Sequence, residues 1–383
     1  MQISPILVTI RFVWFFIYTK EARMSTPLEL LSPVSLGSLA LKNRLVMAPL
    51  TRMRAIDGDV PSPLAKTYYS QRASAGMIIT EATQISPLGK GYPATPGIYS
   101  EAQTAAWKDI VAAVHAKGGV MVSQLWHVGR ISHSSLHANE GLPVAPSAIA
   151  PAGKTYGADW QLHDYETPRA MSEADIAKLL VDFRNAALNA KKAGFDGIEV
   201  HAANGYLLDQ FLQDKTNQRT DQYGGSIENR LRLLIEVLKT VSEIFSYDRI
   251  GVRLSPYGSF NDIADSDPLA LFTAVIDKLN PLGLAYLHMI EPRATTAGGN
   301  DKVDAAAPNA SALFRKAFHG KFISAGGYTK ESGEAALEAG LADAIAYGRI
   351  YIANPDLAER FAQNAPLNPY DRASFYGGRG KSY

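Results

Sequence analysis

The chain has 383 residues, 46% of them hydrophobic and 20% charged, with a formal net charge of +1 and no cysteine. That balance excludes a disordered or fibrous protein, and the near-neutral charge gives no broad electrostatic case for binding nucleic acid or an anionic membrane. The lack of cysteine removes disulfides, thiol nucleophiles, iron–sulfur clusters and cysteine zinc sites together, and fits a reducing, cytoplasmic setting.

In chain order, residues 5–18 (PILVTIRFVWFFIY) come first. They are apolar but interrupted by Arg11, and shorter than the ~20 residues a spanning helix needs. A signal peptide would want a basic start and a small-residue cleavage site, and neither is clear. Residues 1–23 are therefore expected to be an extension outside the fold, with no membrane role. Residues 24–383 show no low-complexity linker and no second composition regime, which predicts one domain.

Apolar runs suited to buried parallel strands occur at 45–49, 77–83, 120–127, 197–202, 250–256, 285–291, 321–327 and 343–349. Helical patterns lie between them. Residues 104–117 place Ala106, Ile110, Val111 and Val114 on one face and stop at Gly118–Gly119. Residues 172–193 open on Ser172 and Glu173 and close at Gly194, and 227–245 follows Ser226 as N-cap. Shorter helices are predicted at 268–280, 309–318, 331–340 and 355–363. Eight strand–helix repeats without an early G-x-G-x-x-G turn predict an α/β fold of the (β/α)8 TIM barrel type rather than a doubly wound sheet. Two connections are too long for plain loops. Residues 128–170 predict a capping insertion after the third strand, and 203–226 carry the polar stretch KTNQRTDQYGGS after the fourth. Both would lie on the C-terminal face, where barrel active sites sit.

The predicted strand ends supply Pro49, Leu50 and Thr51, then Glu81, Ala82 and Thr83, then Gln124, Trp126 and His127, and Arg253. Gly326–Gly327 and Gly348–Arg349 end the last two strands. Glycines there form the usual barrel phosphate site, with Arg349 as a bidentate partner, although Gly326–Gly327 could merely turn the chain. Gln124 suits the edge of a heterocycle, and Arg253 could hold negative charge on a reduced ring or be a salt-bridged core arginine. The fourth strand runs into HAANGY at 201–206. His201 and the Asn204 amide can both donate to one oxygen, and the Tyr206 phenol can give up a proton. That suits reactions that build charge on a carbonyl oxygen and then protonate carbon. Each residue has a plainer alternative: a structural histidine, an Asn-Gly turn, a packed tyrosine. No metal is expected, given no cysteine and no H-E-x-x-H spacing.

Longer stretches carry a resemblance. They are NRLVMAPLTRMRA at 43–55, GYPATPGIY at 91–99, SQLWHVGR at 123–130, EVHAANGYLLDQFL at 199–212 and NQRTDQYGGSIENR at 217–230. GVRLSP at 251–256, FISAGGY at 322–328, AYGRIYIANPDL at 346–357 and SFYGG at 374–378 follow. From about Pro27 to Tyr376 the chain resembles the Old Yellow Enzyme family of flavin-dependent ene-reductases, and is similar to its plant 12-oxophytodienoate reductases and bacterial N-ethylmaleimide reductases.

The resemblance implies one FMN in the barrel mouth and NADPH or NADH as electron donor. By motif, Pro49, Leu50, Thr51, Ala82, Gln124, His201 and Arg253 would contact the isoalloxazine. Gly326, Gly327, Gly348 and Arg349 would hold the phosphate. An activated alkene would be the substrate, its carbonyl oxygen held by His201 and Asn204. Hydride would pass from flavin N5 to the β-carbon, and Tyr206 would protonate the α-carbon. With an ordinary pKa near ~10 the phenol stays protonated at neutral pH. Tyr92, Trp126 and Tyr376 would line the substrate pocket. Thr51 stands where relatives of thermophilic type carry cysteine, and H-x-x-N replaces the H-x-x-H of some bacterial members. A monomer or homodimer is implied. The alternative is a nitroester, nitroaromatic or quinone reductase using the same reduced FMN. A flavin-free hydrolase or aldolase would need a positioned lysine or carboxylate pair that the strand ends lack.

Overall fold

A computed structural model describes residue 1 and residues 28–137, 141–294 and 301–378. The expected extension at 1–23, Met1 apart, lies outside the described residues. Eight short parallel strands form the centre: β1 (Leu45–Met47), β2 (Met77–Ile79), β3 (Met121–Trp126), β4 (Gly197–His201), β5 (Ile250–Leu254), β6 (Tyr286–Ile290), β7 (Phe322–Ala325) and β8 (Ala344–Tyr347). Each pairs with the next, and β8 returns to β1 through Ile345↔Leu45, Ala346↔Val46 and Tyr347↔Met47, so the sheet closes. The expected TIM barrel is the fold. Every strand residue is buried, as a parallel sheet covered on both faces requires.

The chain before β1 forms a hairpin, Val34–Leu36 with Leu39–Leu41, whose Leu36, Leu39 and Leu41 pack with Val46, Met77, Val122, Tyr286 and Ile323. A Cβ at Gly37 (φ +55) would fall 2.2 Å from the carbonyl oxygen of Asp248, so only glycine fits that turn. Burying each of those leucines stabilises the barrel by roughly 1.5–3 kcal/mol.

The helices are α1 (Leu64–Ser70), α2 (Glu101–His115), α3 (Glu173–Ala193), α4 (Leu207–Leu212), α5 (Ile227–Arg230) and α6 (Arg232–Ser242). Then come α7 (Pro268–Leu279), α8 (Ala310–Phe314), α9 (Lys330–Glu338), α10 (Arg349–Ala353) and α11 (Leu357–Gln363). Ser100 and Ser172 each close a capping box, and Gly194 ends α3 in the left-handed region.

Three expected elements differ. The helix expected over 227–245 is interrupted at Leu231, beside Arg230, whose Nη1 is drawn to the Leu212 carbonyl and to Asp265. The helix expected over 309–318 keeps only Ala310–Phe314, after which Arg315 turns to Asp343 and His319 donates its N–H to Asn280. The second strand stops at Ile79, and Thr83–Gln84 pairs separately with Leu125–Trp126. Between them Glu81 turns inward: its N–H donates to the Tyr69 hydroxyl at 3.0 Å, and its carboxylate accepts the Arg52 N–H at 3.1 Å.

The insertion after β3 carries an antiparallel hairpin, Lys154–Tyr156 with Leu162–Asp164, and a two-residue pairing of Val144–Ala145 with Arg169–Ala170. Buried Arg130 ties it to the loop after β5, donating to the carbonyls of Ile149, Asn261 and Asp262.

Candidate active site

Because all eight strands are parallel, their C-terminal ends meet at one face, and a cavity of about 410 Å³ opens there. Pro49, Leu50, Thr51, Ala82, Tyr92, Gln124, Trp126, His201, Asn204, Tyr206, Arg253, Gly326, Gly327, Gly348, Arg349 and Tyr376 all line it. The residues expected to hold cofactor or substrate are therefore brought together, whereas the strand-end residues Glu81, Thr83 and His127 are not part of the lining. They differ in depth. Gln124 and Trp126 are each 1% exposed on the floor, whereas Tyr376 is 52% exposed at the rim.

Strand β4 delivers His201, and the backbone then reverses through Asn204 (φ 58) and Gly205 (φ 71) before α4 begins behind Tyr206. The Asn-Gly turn is real, and it is pinned on three sides. The Asn204 N–H donates to Ser255 Oγ at 2.7 Å, the Gly205 N–H to Asp209 Oδ2 at 2.8 Å, and Asn261 Nδ2 to the Asn204 carbonyl at 2.8 Å. A Cβ at Gly205 would lie 2.7 Å from the Phe260 carbonyl oxygen. Burial pushes the Asp209 carboxyl up to about 6.

The His201 and Tyr206 rings meet edge-on at 5.1 Å, Tyr206 meets Trp126 edge-on at 5.0 Å, and Tyr92 stacks on Trp126 at 6.0 Å. The Tyr92 and Tyr206 hydroxyls lie 3.2 Å apart. Burial raises the Tyr206 phenol above its usual value, so it holds its proton more firmly than an ordinary phenol. Burial, with the charge of Arg253 adding to it, holds His201 well below the usual imidazole range. His201 is therefore neutral at pH 7 and can donate through one ring nitrogen only. Three buried polar atoms of the cavity-lining side chains have no partner among the described residues: Trp126 Nε1, His201 Nδ1 and Arg253 Nε. Unmet donors or acceptors at the floor of a cavity are what a polar ligand would satisfy.

At the opposite end, Gly326 (φ +120) and Gly327 (φ +69) leave β7 in conformations that side chains rarely adopt. A Cβ at Gly326 would lie 3.1 Å from both Cβ and the carbonyl oxygen of Glu291, and one at Gly348 would lie 3.3 Å from Leu50 Cδ2. Bare backbone therefore faces the cavity at both strand ends. Helix α10, which carries Arg349, is held by buried Arg72, whose Nε and Nη2 donate to the Tyr351 and Ile352 carbonyls at 2.9 and 2.8 Å. Arg349 Nε engages Asp301 at 3.1 Å, and Asp301 also binds Arg372 and Tyr370. The C-terminal segment is tied to β1's exit: Arg52 Nε donates to the Phe375 carbonyl, the Gly377 N–H to the Arg52 carbonyl, and Arg54 Nε to the Gly377 carbonyl. That clasp sets Tyr376 at the rim.

A flat heterocycle with a phosphate tail matches this cavity: an amide and a guanidinium at its floor, unsubstituted backbone and an arginine at its far end. The residues present fit FMN. Several lining residues are not among the sequence candidates, and four of them show why. Tyr156 and Phe260 reach the cavity from connections whose paths no local pattern reveals, and Met53 and Tyr328 from just beyond strand ends. Conversely, the polar stretch KTNQRTDQYGGS at 215–226 lines none of it. Its side chains are spent on structure: Asn217 Nδ2 donates to the Phe211 and Tyr223 carbonyls, and Arg219 pairs with Asp221 and donates to Pro146. His127 also stays out of the cavity, its Nδ1 accepting the Gly129 N–H at 3.1 Å.

Comparison with known proteins gives a consistent picture. The sequence profile of the NADH:flavin oxidoreductase / NADH oxidase family matches residues 29–368. The chain is 47% identical to 12-oxophytodienoate reductase 1 of Oryza sativa subsp. japonica over 91% of this chain and 90% of that protein. It is 46% identical to 12-oxophytodienoate reductase 2 of Arabidopsis thaliana over 93% and 94%. Among solved structures, morphinone reductase in complex with tetrahydroNAD superposes with a TM-score of 0.85 at 47% identity, covering 92% of this chain and 95% of that one. The Old Yellow Enzyme homologue from Zymomonas mobilis gives a TM-score of 0.87 at 42% identity, covering 92% and 98%.

Proposed function

Since the chain belongs to the Old Yellow Enzyme family, we propose a division of labour among its mouth residues. The protein is an FMN-dependent oxidoreductase that reduces the C=C bond of α,β-unsaturated carbonyl compounds with NAD(P)H. When bound, FMN supplies the hydride that reaches the β-carbon. In our reading the chain does the rest. Gln124, Arg253, Thr51, Ala82, Pro49 and Leu50 hold the ring system, and Gly326, Gly327, Gly348 and Arg349 hold the phosphate. His201 and Asn204 grip the substrate's carbonyl oxygen and stabilise the negative charge that grows there. Tyr206 gives its proton to the α-carbon, while Tyr92, Trp126 and Tyr376 shape the space above.

The observation that carries this reading is the convergence of a neutral His201, whose Nδ1 has no partner among the described residues, the pinned Asn204 turn and the buried Tyr206 phenol on one side of the cavity. Isotope placement tests it. Reduction of an α-substituted cyclic enone in D2O should put solvent deuterium on one face of the α-carbon, because the phenol exchanges with solvent and delivers from a fixed side. Deuterium on both faces of the α-carbon, or none there, would contradict the assignment of Tyr206.

We further place the enzyme in the cytoplasm, as a monomer or homodimer acting on a small-molecule alkene. Among the described residues no helix is long and apolar enough to cross a membrane. Residues 1–23 take no part in this scheme. Deleting them should leave FMN content, melting temperature and turnover unchanged, and a loss of any of the three would assign the extension a role.

A further inference from the structure

Beneath the cavity floor the barrel interior holds two polar residues, Glu199 and His288, that the scheme above does not use. Glu199 lies on β4 directly opposite Gln124 of β3 and is 0% exposed. Its Oε1 accepts a hydrogen bond from Gln124 Nε2 at 2.7 Å, and its Oε2 lies 2.8 Å from His288 Nδ1 on β6. Arg253, on β5 between them, is the register partner of both His201 and His288. Burial alone would raise the Glu199 carboxyl, yet His288, Arg253 and Gln124 together hold it below its usual value. At His288 burial works against protonation while the Glu199 carboxylate works for it, and the fixed positive charge nearest the cluster is that of Arg253.

An ionised carboxylate can only accept hydrogen bonds. The Gln124 amide must therefore turn its NH2 group to Glu199, which leaves its oxygen and its second N–H as the polar edge it shows the cavity. An acceptor beside a donor is the complement of an N–H beside a C=O, the imide edge of a flavin's pyrimidine ring. A buried carboxylate is poor evidence of stability, because desolvation offsets most of what its partners return. We propose that Glu199 is a positioning residue: its carboxylate locks the Gln124 amide in the orientation that reads an imide edge, and its charge tempers Arg253 beside it.

This inference rests on FMN occupying the cavity as proposed above. Two readouts test it without turnover: FMN affinity of the deflavinated chain, and the midpoint potential of the holoenzyme. Glu199→Gln is isosteric but uncharged and can present either face to Gln124. It should weaken FMN binding about tenfold, and favour the reduced flavin over the oxidised by about tenfold, a rise of roughly 30 mV for a two-electron couple. Glu199→Asp keeps the charge but is one methylene too short to reach Gln124. It should weaken FMN binding with little change in potential. Glu199→Gln with wild-type affinity and potential would reduce Glu199 to barrel packing and overturn the proposal. Should Glu199→Gln fail to fold, Glu199→Asp decides on affinity alone, weaker binding supporting the proposal and unchanged binding overturning it. A wild-type chain that binds no FMN would sink both readings. Wild-type binding with unaltered variants sinks only this one.

Discussion

Tyr206→Phe should slow enone reduction by about 10²–10⁴-fold, the usual contribution of a positioned general acid, while NADPH bleaches the bound flavin at the wild-type rate. The phenol sits 8% exposed between Trp126 and His201, so phenylalanine fits the same space. The main structural loss is the 3.2 Å contact with the Tyr92 hydroxyl, worth about 1 kcal/mol. Stopped-flow measurement of each half-reaction separates the roles. Equal slowing of both would show that Tyr206 supports the flavin rather than the α-carbon. The same variant separates the rival substrate class, because a nitroester or nitroaromatic needs no proton on an α-carbon and its reduction would be spared.

Asn204→Gly should cost about 10²–10³-fold in enone turnover, or roughly 2.7–4 kcal/mol, the range for losing one preorganised donor to a developing oxyanion. Glycine is chosen because Asn204 has φ 58, where alanine would add strain of its own. If Asn204 were only a turn residue, glycine would serve equally well and turnover would survive. The amide lost is the one aimed by the Ser255 and Asn261 contacts on its backbone. The wild-type rate with enone should also be flat from about pH 6.5 to 9. Burial lowers His201 and raises Tyr206, so neither changes charge across that window.

The barrel was legible because each parallel strand is covered on both faces and so reads as an unbroken apolar run. Parallel order then does the gathering. Residues as distant as Thr51 and Arg349 share one cavity because every strand ends on the same face. Where the elements differ from the sequence-based expectation, the decisive interaction is non-local. Nothing near Leu231 announces that Arg230 will turn to Asp265, and nothing in KTNQRTDQYGGS distinguishes donors spent on carbonyls from donors held for a ligand. Glu199 stayed hidden within GIEV because an apolar run masks a single carboxylate. Its meaning depends on register: Gln124 opposite and His288 two strands away. The phenol's raised pKa was likewise invisible, since it comes from burial beneath a cap whose path the sequence does not reveal.

The protein carries electrons from a nicotinamide through a bound flavin to an activated alkene. An anaerobic titration tests it most directly: bleach the flavin of the purified holoenzyme with NADPH, then add one equivalent of an enone such as 2-cyclohexenone without oxygen. Full return of the oxidised flavin spectrum is expected, with one saturated ketone formed per flavin. Flavin that stays bleached through a panel of enones and maleimides yet recovers with oxygen would contradict it.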